Sequence, residues 1–264
     1  MLTDMHNHTF SSFDGKQSVY DVCAAAEKAG VGIIAVAEHF DCDDRGGMLH
    51  FPSHFNKWLE ETEDAKKKYE GKVQLLRGVE VGQPHIFPKE AAQIINATQY
   101  DLVIGSMHDL KGGRDIYFMD IEDTDAFFEE YFSEMLEMIS TGVFDILGHI
   151  DYPVRVLQKQ LNGDPSLKRW ESLIVPCLKS IIDKGIALEF STVLLRNWAG
   201  CFGIEPWLLE KYKQLGGEMI TLGSDGHVPS LTCFGIERAS EVLNEYGFDK
   251  TTVFVNRKPQ FIHI

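Results

Sequence analysis

Two histidines stand one residue apart near the start of the chain, in Asp4-Met5-His6-Asn7-His8-Thr9, and Asp14 follows six positions after the second. In an extended strand alternate side chains share a face, so Asp4, His6 and His8 project together. Taken alone, the pair fits a solvated edge strand as well as a metal site. Its weight comes from His39, Glu80, His108, His149, Asp225 and His227, which are far apart in the chain yet each lie at or just past the end of a short apolar run. Imidazole and carboxylate without thiolate form a donor set for Zn, Mn or Fe(II), whereas Mg and Ca prefer all-oxygen surroundings. Nine such groups exceed the needs of one catalytic ion. They would serve two or three ions if one carboxylate bridges, with Glu80 or Asp225 as the natural bridge.

The elements that must position these groups are read from periodicity. Residues 19–29 carry Val19, Val22, Cys23, Ala26 and Ala29 at helical spacing, with Gly30 as a stop. Residues 32–37 are wholly apolar, as in a strand buried on both faces of a parallel sheet, and end at Glu38-His39. The alternation repeats with a charged helix over 55–69, a strand over 73–79 ending at Glu80, a helix over 89–96 and a strand over 100–107 closing at His108. A helix over 125–140 leads to a strand over 144–148 closing at His149. A helix over 167–184, kinked at Pro176, leads to a strand over 185–191. A helix over 206–215 leads to a strand over 218–224 that runs into Asp225-Gly226-His227, and an amphipathic segment over 237–246 precedes a short tail.

Seven apolar strands alternating with helices imply parallel β/α units, with functional residues at the carboxyl ends of the strands. Every strand but the sixth ends in a candidate ligand, and the sixth is followed by Arg196. Groups at matching strand ends converge only if the sheet curls, which favours a barrel over an open sheet.

Composition bounds the alternatives. The 264 residues are 44% hydrophobic, with no composition break or low-complexity tract, so one domain over 1–264 is expected. A formal charge of -15 argues against a nucleic-acid or anionic-membrane surface. The five cysteines are odd in number and lack a Cys-x-x-Cys pair, which excludes a disulfide framework or thiolate zinc site. No signal-peptide pattern opens the chain and no apolar run reaches membrane-spanning length, so a soluble, cytoplasmic-type protein is expected. Oligomeric state is left open, a homo-oligomer included. His50, His54, His85 and His263 read as surface groups. Asp4, Glu38 and Asp151 adjoin ligands and could orient imidazoles, with plain solvation the alternative for the last two. Loops over 41–54 and 110–123, with Gly46-Gly47 and Gly112-Gly113 as flexible points, are expected to cover the site. Their Asp43, Asp44, Asp115 and Asp120 suit a cationic amine or simple solvation.

Asp4-x-His6-x-His8-Thr9, Glu38-His39, the lone His108, Gly148-His149 and Ser224-Asp225-x-His227 resemble the motifs of the PHP (polymerase and histidinol phosphatase) superfamily over nearly the whole chain. Within it, Ser11-Ser12-Phe13-Asp14-Gly15, Gly148-His149-Ile150-Asp151-Tyr152-Pro153 and Leu188-Glu189-Phe190-Ser191-Thr192 with Arg196 are similar to the monofunctional histidinol-phosphate phosphatases. The resemblance implies a distorted (β/α)7 barrel with a trinuclear metal centre. One ion would be held by His6, His8, Glu80 and Asp225, a second by Glu80, His108 and His149, and a third by Asp14, His39 and His227. Asp14 stands where many relatives have histidine, and Phe190-Ser191-Thr192-Val193 replaces an Asn-Thr-Ser-Gly type of turn.

The implied reaction is hydrolysis of a phosphate monoester, first of all histidinol phosphate, by a metal-bridging hydroxide. Arg155 and Arg196 would bind the phosphoryl oxygens and neutralise their charge, and Asp225 or His227 would protonate the leaving alkoxide. Two alternatives stay open: a PHP phosphoesterase for a nucleotide, a diester or another phosphorylated molecule, and a non-catalytic metal-dependent binding or regulatory module, whose mark would be missing ligands.

Overall fold

The computed structural model describes residues 1–42 and 47–264. Short apolar runs, each returned to its neighbour by a crossover, build β1 (Leu2–Asp4), β2 (Val31–Asp41), β3 (Gln74–Gly82) and β4 (Leu102–Ser106). The chain then makes a small antiparallel pair, β5 (Asp109–Leu110) and β6 (Arg114–Asp115), before β7 (Ile146–Leu147), β8 (Ala187–Ser191) and β9 (Ile220–Gly223). The seven long-range strands are parallel and ordered β1-β2-β3-β4-β7-β8-β9. The two edges then meet: Met5 N–H donates to Leu222 O at 2.7 Å, Asp225 N–H to His6 O at 2.8 Å and His8 N–H to Gly226 O at 2.9 Å. The sheet is therefore a nearly closed, distorted (β/α)7 barrel, joined where β1 and β9 carry their ligands.

Around it lie α1 (Val19–Ala29), α2 (Gly47–Lys68), α3 (Pro88–Ile95), α4 (Thr124–Thr141), α5 (Glu171–Lys184), α6 (Pro206–Gln214) and α7 (Ile236–Glu245). The first has the bounds read from sequence because both ends are marked: Ser18 and Asp21 form a capping box, and Gly30 closes it at φ 71°. Pro176 lies inside α5, which runs on to Lys184. Among the described residues no helix is long and apolar enough to cross a membrane.

Three expectations change. α2 starts at Gly47, not near residue 55, so His50 and His54 lie on a helix with their rings stacked at 4.3 Å, not in a loop. Asp43, Asp44 and Gly46 fall outside the described residues. The expected tail is instead a hairpin, β10 (Lys250–Val255) and β11 (Lys258–His263), turned by Asn256 and Arg257 at φ 51° and 62°.

That hairpin explains where the polar chemistry goes. Val253 and Phe254 pack with Met5, Ile33, Ala35, Leu76, Ile104 and Ile146, closing the amino-terminal mouth of the barrel with apolar side chains. Full burial of each contributes about 1.5–3 kcal/mol, enough to fix a short terminal segment. Only the opposite mouth is left for ligands.

Candidate metal centre

Strand register brings the nine side chains together. His39 on β2 pairs with Glu80 on β3, and His108 and His149 follow the ends of β4 and β7. In one group, His6 Nε2 lies 3.4 Å from Glu80 Oε1 and 3.9 Å from Asp225 Oδ1, while His8 Nε2 lies 3.2 Å from Asp225 Oδ1 and 3.6 Å from Glu80 Oε2. In a second, His149 Nε2 is 2.9 Å from Glu80 Oε1, and His108 Nε2 is 3.5 Å from the same oxygen and 3.4 Å from His149 Nε2. In a third, His227 Nε2 is 3.1 Å from Asp14 Oδ2, and His39 Nε2 is 3.3 Å from His227 Nε2 and 3.8 Å from Asp14 Oδ1. Glu80 touches all three, since its Oε2 is also 2.7 Å from His39 Nδ1.

This set fits divalent ions. His6 Nε2 and Asp14 Oδ1 are buried and have no hydrogen-bond partner, and His39 Nδ1 and Glu80 Oε2 have only each other, at 2.7 Å. Buried polar atoms left unpaired are costly, and cations held among these groups would satisfy them. Four of the far ring nitrogens are tied instead, while His149 Nδ1 is buried without a partner. His6 Nδ1 meets Glu189 Oε1 at 2.6 Å, His108 Nδ1 meets Asp41 Oδ1 at 2.7 Å, His227 Nδ1 meets Asp225 O at 3.0 Å and His8 Nδ1 meets Ser12 Oγ at 3.2 Å. Each such bond aims Nε2 at the centre.

The charges respond to one another. Burial alone would raise Glu80, but His39, His6 and His108 outweigh it and hold its carboxyl well below the ordinary range. Asp225 is likewise held well below by Arg155, His227 and His6 against its burial. Burial opposes a proton on His39, yet Glu80 and Asp14 overcome it and push its pKa up to about 9. His8 goes the other way, lowered by burial and by His39 and His227.

The two arginines part company. Arg155, at the end of a 3-10 turn over Tyr152–Arg155, places Nη1 2.9 Å from Asp225 Oδ2 and leaves Nε and Nη2 buried without a partner. Arg196 differs from the expectation of a phosphate ligand: Nη1 donates to Ser224 O at 2.6 Å and Nη2 to Asp225 O at 2.8 Å. It lines no part of the cavity at the centre. Asp225 has φ 50°, a left-handed backbone that a non-glycine residue resists, and Arg196 fastens the carbonyls on either side of that residue's nitrogen and carbonyl carbon.

Asp4 reaches no ring nitrogen but accepts the backbone N–H of His6 at 3.4 Å. Its carboxylate accepts from Ser224 Oγ at 2.6 Å, Ser224 N at 2.9 Å and Cys233 N at 3.2 Å, tying β1 to the segment after β9. Glu38 is buried, not solvated: it accepts from Ser12 Oγ, Thr9 Oγ1 and Thr9 N, and so acts on His8 through Ser12. Asp151 is fully buried, and burial pushes its pKa up to about 6. The side chain of His85 is also covered, 3.5 Å from Glu134.

Two residues were missed. Asp41 shares the strand face of His39, two positions on, and a Cβ at Gly82 would lie 2.1 Å from its Oδ1, so glycine there makes its room. Glu189 is a lone carboxylate in the apolar strand Ala187-Leu188-Glu189-Phe190, a signal the sequence does carry.

Above the centre lies a cavity of about 590 Å³ whose floor includes His149, Asp225 and Arg155 and whose rim carries Phe13, Tyr117, Phe118 and Tyr152 with Asp41, Asp109 and Asp115. Gly112 and Gly113, at φ 83° and 69°, turn the chain between β5 and β6, and neither they nor Asp120 line the cavity.

A model of the PHP domain family matches residues 4–193. A Clostridium acetobutylicum protein named "probable histidinol-phosphatase" is 32% identical over 233 residues, covering 86% of this chain and 87% of its own. The histidinol-phosphatase of Lactococcus lactis is 26% identical over 263 residues, 97% of this chain and 95% of its own. The crystal structure of histidinol phosphate phosphatase from Lactococcus lactis, complexed with Zn, L-histidinol and phosphate, superposes with a TM-score of 0.79 over 98% of both chains at 24% identity, a likeness of fold.

Proposed function

Because this chain belongs to the PHP domain family, we propose that it is a metal-dependent phosphate monoester hydrolase that converts L-histidinol phosphate and water to L-histidinol and phosphate. The observation that carries the reading is the union of nine donor groups with the buried, unpartnered Nε and Nη2 of Arg155 at one barrel mouth. The full proposal has one domain over 1–264, working in the cytoplasm in histidine biosynthesis, with Zn, Mn or Fe(II) in a three-ion centre.

The groups His6, His8, Glu80 and Asp225, then Glu80, His108 and His149, then Asp14, His39 and His227 would hold the ions. Ions so held supply Lewis acidity and a bound water acidic enough to attack near neutral pH. The chain does the rest. Arg155 offers Nε and Nη2 to two phosphoryl oxygens in the fork geometry that guanidinium matches to phosphate. Its bond to Asp225 fixes that fork beside the centre. Arg196 holds the Ser224-Asp225 backbone and with it the carboxylate. Asp225 or His227 would protonate the leaving alkoxide: Arg155, His227 and His6 hold Asp225 well below the ordinary range against its burial, which favours His227, whose side chain lines the cavity with Nε2 3.1 Å from Asp14. The rim of Phe13, Tyr117, Phe118 and Tyr152 suits a planar ring, and its carboxylates suit an amine.

A binding module without catalysis is disfavoured because no ligand position lacks a donor. The test is phosphate release from histidinol phosphate, a nucleoside monophosphate and a phosphodiester, with protein loaded with Zn, Mn or Fe(II). Release from histidinol phosphate that vanishes in His8→Ala is expected; loaded protein with no release above His8→Ala overturns the reading.

A further inference from the structure

Glu189 sits on β8 with no solvent exposure, in register with the buried Thr221 of β9 and between the apolar Leu188 and Phe190. An ionised carboxylate there is costly unless its oxygens are fully engaged. Oε1 lies 2.6 Å from His6 Nδ1, and Oε2 accepts the backbone N–H of His149 at 2.6 Å. Among the described residues these are its hydrogen-bond partners. The neighbouring strand makes space for it: a Cβ at Gly223 would lie 2.1 Å from Oε1.

We propose that Glu189 is a positioning residue that builds two of the three ion positions from one carboxylate, an inference that rests on the metal centre proposed above. Asp41 supports one ring, His108, and Ser12 supports the His8 ring and the His39 peptide N–H; Glu189 is the carboxylate that joins the first two positions. Glu189 spans the barrel. By accepting from Nδ1–H it keeps the proton of His6 on that nitrogen and turns the Nε2 lone pair toward Glu80 and Asp225. By holding the peptide of His149 it sets where that ring leaves the backbone, and so the 2.9 Å approach of Nε2 to Glu80. It makes no bond to Asp14, His39 or His227. Its loss should weaken the first two positions together and spare the third.

The test is competitive Zn titration of wild type, Glu189→Gln and Glu189→Ala against a chromophoric chelator, with calorimetric melting of the ion-free proteins alongside. Two ions bound about 10–100-fold more weakly, a third unchanged, and a melting temperature near wild type for Glu189→Gln are expected. In Zn-loaded wild-type protein, imidazole ¹⁵N NMR should show His6 protonated at Nδ1 and not at Nε2. Wild-type affinity at every position in both variants, equal weakening of all three, or a His6 proton on Nε2 overturns the role of Glu189 while leaving the metal centre intact. Wild-type protein that binds no Zn overturns the centre itself and this role with it. Should Glu189→Ala fail to fold, Glu189→Gln and the wild-type NMR signal still decide.

Discussion

His39 and His227, 188 positions apart in the chain, face each other through their Nε2 atoms at 3.3 Å. Two imidazole nitrogens at that distance share one proton or one cation, and the Asp14 oxygens beside them suit either. Ion and proton therefore compete for the same space.

That competition gives stability a sign that depends on loading. His39 has a folded pKa of about 9 against an ordinary value of 6.5. In the ion-free protein its contribution is fully present below pH 6.5 and is lost as pH rises through 9, a loss on the order of 3 kcal/mol. Ion binding strengthens over the same window because fewer protons oppose it. Calorimetry at pH 6, 7.5 and 9, with chelator and with Zn, should show the ion-free melting temperature falling while the gap to the loaded protein widens. An ion-free melting temperature that is flat or rising would count against this picture.

Arg155 and Arg196 should separate cleanly. Arg155→Ala removes the open phosphate donors and leaves Asp225 without its partner, so kcat/KM should fall about 10²–10³-fold and inhibition by phosphate should weaken. Arg196→Ala should instead cost about 1.5–3 kcal/mol of stability, with phosphate inhibition nearly unchanged. Equal weakening of phosphate inhibition by both variants would return Arg196 to the phosphate site.

At the rim, Phe118 is 80% and Tyr117 60% exposed, and their rings meet edge to face at 5.1 Å beside the cavity. Phe118→Ala should raise KM for histidinol phosphate about 2–10-fold with kcat little changed, and leave a ring-free substrate such as glycerol phosphate unaffected. The same change in KM for both substrates would remove the ring from the explanation.

Thiol chemistry checks the packing. Burial pushes Cys23 and Cys177 up to about 12, Cys42 and Cys233 are also buried, and Cys201 is partly exposed. Native protein should therefore show one accessible thiol toward a disulfide reagent at pH 8, slowed because burial and Glu205 raise its pKa and absent in Cys201→Ser, and the remaining thiols only after unfolding. Several fast thiols in the native state would show the core to be looser than described.

What the sequence made legible follows from where the information is local. α1 is bounded by its own capping residues, and each ligand but Asp14 stands in or just past a strand, so eight could be gathered from the strand pattern and Asp14 from its place after His6 and His8. Other features depend on partners far along the chain. Arg155 and Arg196 both end short turns after strands, and only the packing decides that one faces the cavity and the other reaches the carbonyls of Ser224 and Asp225. Residues after 246 looked like a tail because Thr251, Thr252, Val253 and Phe254 make too short a run to stand alone; their strand exists because the barrel mouth buries it. Glu189 was visible as a charge in an apolar strand, but its two partners, 183 and 40 positions away, were not.

The most direct measurement is diffraction at the Zn absorption edge from crystals of the Zn-loaded protein. Three anomalous peaks are expected, one among His6, His8, Glu80 and Asp225, one among Glu80, His108 and His149, and one among Asp14, His39 and His227, each about 2.0–2.2 Å from its donors. The absence of a peak at any of these three places would contradict the three-ion centre.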